Sequence, residues 1–255
     1  MEKIQIQYGN APSQFGVLRV PGGDSRFPVV VTIHGGFWQS KYNLEENNPI
    51  VEDITQRGFA TWNIEYRRVG EQGGGWPGTF NDVIQAINYL QVLQHNYPLD
   101  TSNLIILGHS AGGHLALWVA SRSNDSKQDD PFKRLEIPIK KVVSLAGVTN
   151  LKEMWKIHQE EELLSPVSSF MGGTPDEVTH RYHLASPTNL LPLKVDQVLI
   201  HGELDRHVPV SLSKNYYELA LEKGENIRLF ILPEVEHFKI INPTSEAWKT
   251  VIEVL

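Results

Sequence analysis

The run Leu104-Ile105-Ile106-Leu107-Gly108-His109-Ser110-Ala111-Gly112-Gly113 passes from four consecutive aliphatic residues, through a glycine-bracketed serine, into an apolar segment of helical pattern that extends to Ser121. Four aliphatic residues closed by a glycine read as a buried strand. The G-x-S-x-G that follows, opening a helix, sets its serine on a sharp strand-to-helix turn. The residues two before and two after that serine must be small, because the turn folds the strand end against the first helical turn and a larger side chain would clash there. Ser110 is therefore the candidate nucleophile. The bare five-residue motif carries little weight, and an ordinary glycine-bracketed turn would match it equally well. The flanking strand and helix supply the argument.

Working outward, runs rich in β-branched residues recur at 29–33, 60–64, 104–107, 142–145, 198–200 and 229–232. They are apolar on both faces instead of alternating, which fits a parallel sheet covered by helices on each side. Two earlier runs, 4–8 and 14–20, flank Gly9-Asn10-Ala11-Pro12-Ser13 and predict an antiparallel hairpin at the sheet edge. Helical patterns fall at 50–57, 80–95, 112–121, 211–222 and 245–254; in the second, Val83, Ile84, Ile87, Leu90 and Leu93 trace an apolar stripe. This alternation predicts a three-layer α/β architecture, a mostly parallel central sheet with an antiparallel N-terminal edge and helices on both faces. Function is then expected at the loops leaving the C-terminal strand ends.

Two segments break the rhythm. Residues 121–138 are polar and predict a solvated loop without chemistry, whereas 149–192, with Trp155, Phe170, Met171 and Tyr182, predict a cap-like insertion in a single domain spanning 1–255. Lys and Arg number 23 against 30 Asp and Glu, a formal charge of −7, so there is no electrostatic reason to expect nucleic acid or anionic lipid as a partner. No stretch approaches the roughly 18 apolar residues of a membrane span, and the start Met1-Glu2-Lys3-Ile4-Gln5 lacks an apolar signal region, so a cytoplasmic address is expected. Zero cysteines exclude disulfides, thiolate metal sites and a cysteine nucleophile.

A serine hydroxyl is a weak nucleophile and needs a base, usually a histidine held in one tautomer by a carboxylate. On an elbow of this kind the chain order is nucleophile, acid, histidine, with the last two on loops after later strands. Residues 198–200 run into His201-Gly202-Glu203-Leu204-Asp205-Arg206-His207-Val208-Pro209, and 229–232 into Pro233-Glu234-Val235-Glu236-His237-Phe238. Of the histidines after Ser110, only His207 and His237 follow the acid. His207 shares the acid's own loop and is poorly placed to bridge it to a serine elsewhere, which leaves His237 as the expected base. Glu203 rivals Asp205 as the acid. Asp205 is preferred because the frame from Gly202 to Val208-Pro209 resembles the acid loop of this fold.

Attack on a carbonyl builds an oxyanion that needs preorganised donors, worth about 3 to 4 kcal/mol each. Residues 29–33 lead into His34-Gly35-Gly36-Phe37-Trp38, whose glycines let the backbone bend so that amides face the nucleophile. The amides of Gly36, Phe37 and Ala111 are the expected oxyanion donors, and His34 is expected to brace the loop by hydrogen bonding. The turn His34-Gly35-Gly36-Phe37-Trp38 spells neither G-x-G-x-x-G nor a Walker pattern, so it is not read as a phosphate site. Glu65, Tyr66, Arg67 and Asp82 predict a buried polar cluster that ties the loop after strand 60–64 to the next helix. His180 and His183 have helical i, i+3 spacing but no third ligand, and no metal is expected. Trp38, Trp76 and His109 are the expected substrate neighbours, with Trp155 and Phe170 as further candidates for an aromatic pocket.

Together, Gly108-His109-Ser110-Ala111-Gly112-Gly113, His34-Gly35-Gly36-Phe37-Trp38, Glu65-Tyr66-Arg67, Trp76-Pro77 with Asp82, and the Asp205 and His237 loops resemble the α/β-hydrolase superfamily along nearly the whole chain. Within it the chain is most similar to small esterases and kynurenine formamidases (arylformamidases) that carry an HGG-x-W turn. The resemblance implies a Ser-Asp-His hydrolase that needs no cofactor and acts on small acyl esters or N-formyl and aryl amides. A small peptidase of the same fold and a non-catalytic binding protein on the hydrolase scaffold are the alternatives.

Overall fold

A computed structural model describes residues 2–23, 25–124 and 131–255; the loop expected at 121–138 lies partly outside them. Eight strands, β1 (Glu2–Gln7), β2 (Phe15–Val20), β3 (Phe27–Ile33), β4 (Ala60–Ile64), β5 (Leu99–His109), β6 (Lys141–Leu145), β7 (Asp196–Gly202) and β8 (Ile227–Leu232), form one sheet in the order β1-β2-β4-β3-β5-β6-β7-β8. β1 pairs antiparallel with β2, and β2 antiparallel with β4; every later pair is parallel. The N-terminal edge is thus the antiparallel hairpin that the sequence predicts, and the rest is the parallel sheet.

The helices are α1 (Asn48–Gln56), α2 (Gly78–Asn88), α3 (Leu90–Asn96), α4 (Ala111–Ser121), α5 (Leu151–Glu160), α6 (Pro166–Met171), α7 (Thr179–Ala185), α8 (Pro187–Leu190), α9 (Val210–Glu222) and α10 (Glu246–Val254). They divide between two apolar cores, one on each face of the sheet. Val29, Val31 and Ile33 of β3 join the core built with α2, α3, α4 and α9, while Val30 joins the opposite core with Ile50 and Ile54 of α1 and Trp248 and Val251 of α10. Period-two alternation lets β3 feed both cores, whereas β4 gives Ala60, Trp62 and Ile64 to the first core and turns buried Thr61 and Asn63 to the other face, where they bond Thr55, Thr32 and the Leu44 carbonyl.

Three boundaries differ from the sequence reading. The helix expected at 80–95 begins at Gly78 and is interrupted at Tyr89, although the apolar stripe continues across the interruption through Leu90 and Leu93. β5 starts at Leu99, five residues before its aliphatic run, because Leu99 and Asp100 pair with Phe27 and Pro28 before a register shift. Between β6 and β7 the sequence reading placed no helices, yet α5 to α8 occupy this connection. Leu151, Met154 and His158 form a buried stripe along α5 behind the Asn150 cap, and His158 and Phe170 pack on the turn after β3. No helix among the described residues is long and apolar enough to cross a membrane.

Candidate active site

At the C-terminal end of β5, Ser110 takes φ 55° and ψ −119°, a left-handed backbone that L side chains rarely adopt. Its amide donates to the Leu145 carbonyl at 2.8 Å, which ties the strained residue to the neighbouring strand. The bracketing glycines are steric necessities. A Cβ on Gly108 would stand 2.1 Å from the Gly112 carbonyl oxygen, and one on Gly112 would stand 2.1 Å from that of Ile33.

Behind His237 lies Asp205, its carboxylate fully buried: Oδ2 accepts from His237 Nδ1 at 2.6 Å and faces His201 Nε2 at 3.3 Å. Oδ1 accepts the amides of His207 and Val208 at 2.8 and 2.9 Å. Burial alone would raise this carboxyl, but hydrogen bonds from His201 and His237, the His237 charge and the Val208 amide hold it far below the usual carboxylate range. With Nδ1–H given to Asp205, His237 is left with Nε2 as its proton acceptor. The two loops are joined by backbone bonds, Glu203 N to the Leu232 carbonyl at 2.9 Å and Leu204 N to that of Val235 at 3.1 Å. The Glu203 side chain itself is exposed. Distance therefore separates the two carboxylates: the one His237 meets is that of Asp205.

The turn after β3 bends through consecutive left-handed residues, Gly36 at φ 93°, Phe37 at 47° and Trp38 at 57°. A methyl group placed on Gly35 would stand 3.1 Å from Ser110 Cβ and 3.2 Å from Glu46 Oε2, so this turn lies directly against the serine. His34 reaches Glu65 Oε1 at 2.7 Å through Nε2 and stacks on Tyr66 at 4.4 Å. Glu65 also accepts the amides of Leu44 and Tyr66 and faces Arg68 at 3.1 Å. Arg67 grips Asp82 with two bonds of 2.8 and 2.7 Å. This buried network holds the turn from behind, away from the reacting atoms.

Ser110, His237, His109, Gly36, Phe37, Tyr42, Glu46, His207 and Phe238 line one cavity of about 110 Å³. Ala111 opens α4 immediately after Ser110 and is buried. His109 lines the cavity; its Nε2 donates to the His237 carbonyl at 3.2 Å and its ring lies 4.5 Å from that of His237. Two expected substrate neighbours are corrected. Trp38 is fully buried, stacked on Phe170 at 4.4 Å and 8°, because its left-handed backbone turns the indole into the core. Trp76 packs edge-on to Phe80 at 5.5 Å and Phe132 at 4.9 Å, away from the cavity wall. Phe170, and Trp155 on α5, likewise do not line the cavity, and His180 and His183 are exposed on α7.

Tyr42, Glu46, His207 and Phe238 escaped the sequence reading as cavity residues. Phe238 adjoins His237 and could have been named from that alone. Glu46 sits in the short turn that follows the glycine pair, but no motif marks it.

His114, one turn along α4 from Ser110, is enclosed by Trp38, Phe80 and Phe170, and burial lowers its pKa from 6.5 to about 4. Between those values the unfolded chain binds the extra proton, so stability is intact above pH 6.5 and is lost as pH falls toward 4, by about 3 kcal/mol in full. Urea midpoints measured from pH 7.5 to 4.5 should fall more steeply for the native protein than for His114→Phe. Parallel curves would remove His114 from the acid sensitivity.

Residues 18–219 match the family model described as BD-FAE. The chain is 24% identical to the probable carboxylic ester hydrolase LipM of Mycobacterium tuberculosis over 97% of its own length, and it spans only 58% of that protein. It is 23% identical to the kynurenine formamidase of Salmo salar, covering 93% of this chain and 75% of the relative. Among solved structures, esterase B from Lactobacillus rhamnosis superposes with a TM-score of 0.84 at 18% identity, over 99% of this chain and 82% of the other. The fold is the α/β-hydrolase fold.

Proposed function

The chain belongs to the BD-FAE family, and from that membership and the geometry of the Ser110 cavity we propose that it is a serine hydrolase of small acyl esters or N-formyl aryl amides, working through an acyl-enzyme. The observation that carries this reading is the 2.6 Å bond from His237 Nδ1 to Asp205 Oδ2, behind a cavity that Ser110 and His237 line together. Ser110 Oγ attacks the substrate carbonyl carbon and its proton passes to His237 Nε2, while Asp205 steadies the imidazolium. The amides of Gly36, Phe37 and Ala111 receive the oxyanion. Collapse expels the alcohol or amine, which takes the proton from His237. Water, activated by the same imidazole, then releases the carboxylic acid, or formic acid from a formamide, and restores Ser110.

The names of the mycobacterial and salmon relatives support ester and formamide substrates, and the size of the cavity supports short acyl groups. At about 110 Å³ it is smaller than the roughly 150 Å³ that holds a benzene ring. Residues 1–255 are read as one hydrolase domain with 149–192 as its cap, a reading supported by the contacts of Phe170 and His158 with the oxyanion turn.

A series of p-nitrophenyl esters, run beside N-formylkynurenine, tests the substrate range. Each methylene that fits should gain about 0.8 kcal/mol, and each that meets the wall should lose that gain, so kcat/KM should peak between acetyl and butyryl. A rise continuing through octanoyl and decanoyl would replace the closed acyl site with an open lipid cleft. Good turnover of acetyl esters with an inert N-formylkynurenine would leave the esterase and remove the formamidase.

A further inference from the structure

The cavity wall carries one carboxylate that the hydrolytic steps do not use. Glu46 is half-buried there, its Oε2 accepting the Gly35 amide at 3.0 Å, and it flanks with Ser110 Cβ the same methyl-sized point beside Gly35. Among the described residues no lysine or arginine lines the cavity. Arg68 reaches this wall by donating to the Tyr42 carbonyl, but its guanidinium is held by Glu65 and Glu71. Lys41 stays at the rim with Nζ 5.1 Å from the Tyr42 ring centroid.

A neutral amide leaves the charge of Glu46 uncompensated, and a substrate that displaces water from the cavity must either supply a cation or bear the cost of desolvating that charge. The rest of the wall suits a cation. Tyr42 and Phe238 are 44% and 54% exposed and, with Phe37, present aromatic rings around the opening. His109 also lines the wall, with Nε2 donating to the His237 carbonyl and Nδ1 closed off from solvent. Burial, chiefly, keeps that imidazole neutral by lowering its pKa well below 6.5.

We propose that Glu46 selects substrates bearing a protonated amine close to the scissile carbonyl, the α-aminoacyl esters being the simplest, and disfavours acyl groups bearing a carboxylate. The inference rests on the hydrolase reading of the same cavity. The test compares kcat/KM for phenyl esters of L-alanine, L-lactate, propionate and succinate at pH 6.5, where an α-amine of pKa near 7.7 to 8.0 is protonated. Alanyl, lactyl and propionyl groups share one three-carbon frame and differ at the α-substituent, which is ammonium, hydroxyl or hydrogen; lactyl is the close isostere of alanyl.

The native protein should prefer alanyl over propionyl by at least about tenfold, with lactyl close to propionyl and succinyl lowest. In Glu46→Gln, which keeps an acceptor for the Gly35 amide, the alanyl-to-propionyl ratio should fall to about one. Propionyl turnover without an alanyl preference in the native protein overturns the inference and leaves the hydrolase standing. An equal gain for lactyl overturns it in favour of a neutral hydroxyl site, and a ratio unchanged in Glu46→Gln removes Glu46. If none of the esters is turned over, the hydrolase reading falls first and this one with it. The native ratio decides even where the variant fails to fold.

Discussion

Ser110→Ala is expected to lower kcat/KM for any good ester substrate by about 10⁴- to 10⁶-fold while leaving the protein folded. In the proposed mechanism the oxygen removed is the atom that forms the acyl bond, and what would remain is whatever the proposed oxyanion amides and binding supply by themselves. The fold is expected to tolerate the change for a local reason. Alanine keeps the Cβ, so the left-handed backbone at φ 55° is neither relieved nor worsened, and the Ser110 amide still donates to the Leu145 carbonyl. The unfolding midpoint should move by no more than about 2 °C. A fluorophosphonate should label the native protein at Ser110 and leave the variant unlabelled. Retention of more than a few per cent of activity, or labelling at another serine, would take the nucleophile away from Ser110.

Asp205→Asn is the second large effect, a loss of about 10⁴-fold in kcat. Asparagine retains an oxygen for the amides of His207 and Val208, so the loop keeps its shape, but its NH₂ faces His237 Nδ1. Two donors cannot share that 2.6 Å contact. The imidazole is driven to the tautomer that carries its proton on Nε2, where it cannot accept one from Ser110. Glu203→Gln, on the same loop but exposed, should stay within about twofold of the native rate. The opposite ranking would move the acid to Glu203.

The depressed pKa of Asp205 adds a pH argument. Its charge contributes stability at every pH above the unfolded value near 3.9, and that contribution is lost only as the solution is acidified below it. A fall in activity between pH 7 and 5 is therefore not a titration of Asp205 and should survive in Glu203→Gln unchanged.

Most of the sheet could be read directly because a buried parallel strand leaves a local trace. The core of β5 is a continuous aliphatic run and β3 nearly so, whereas β4 and β6 break theirs with buried Thr61, Asn63 and Ser144; boundaries deviate where the chain pairs without such a run, as at Leu99 and Asp100. Between β6 and β7, α5 carries such a trace in Leu151, Met154 and His158 at i, i+3 and i+7 behind the Asn150 cap, and the reading of 149–192 as a cap passed over it. α6, α7 and α8 are short, from Pro166–Met171 to Pro187–Leu190, and too few turns are present for a stripe to repeat.

The site divides along the same line. Ser110 and its glycines are determined by the sequence alone, since the clash distances at Gly108 and Gly112 arise within one strand, one turn and one helix, and against the adjoining strand. The order of acid and histidine follows from strand succession. Which side chains meet the substrate was decided only in three dimensions. Trp38 has the residue type of a pocket wall and the backbone of a buried anchor, and it stacks on Phe170, 132 positions away in the chain. Glu46, His207 and Phe238 come from three separate loops and meet at one cavity. Residue type and spacing record the sterics of neighbouring backbone, whereas the direction of a loop side chain is settled by the elements packed against it, and those lie far off in the sequence.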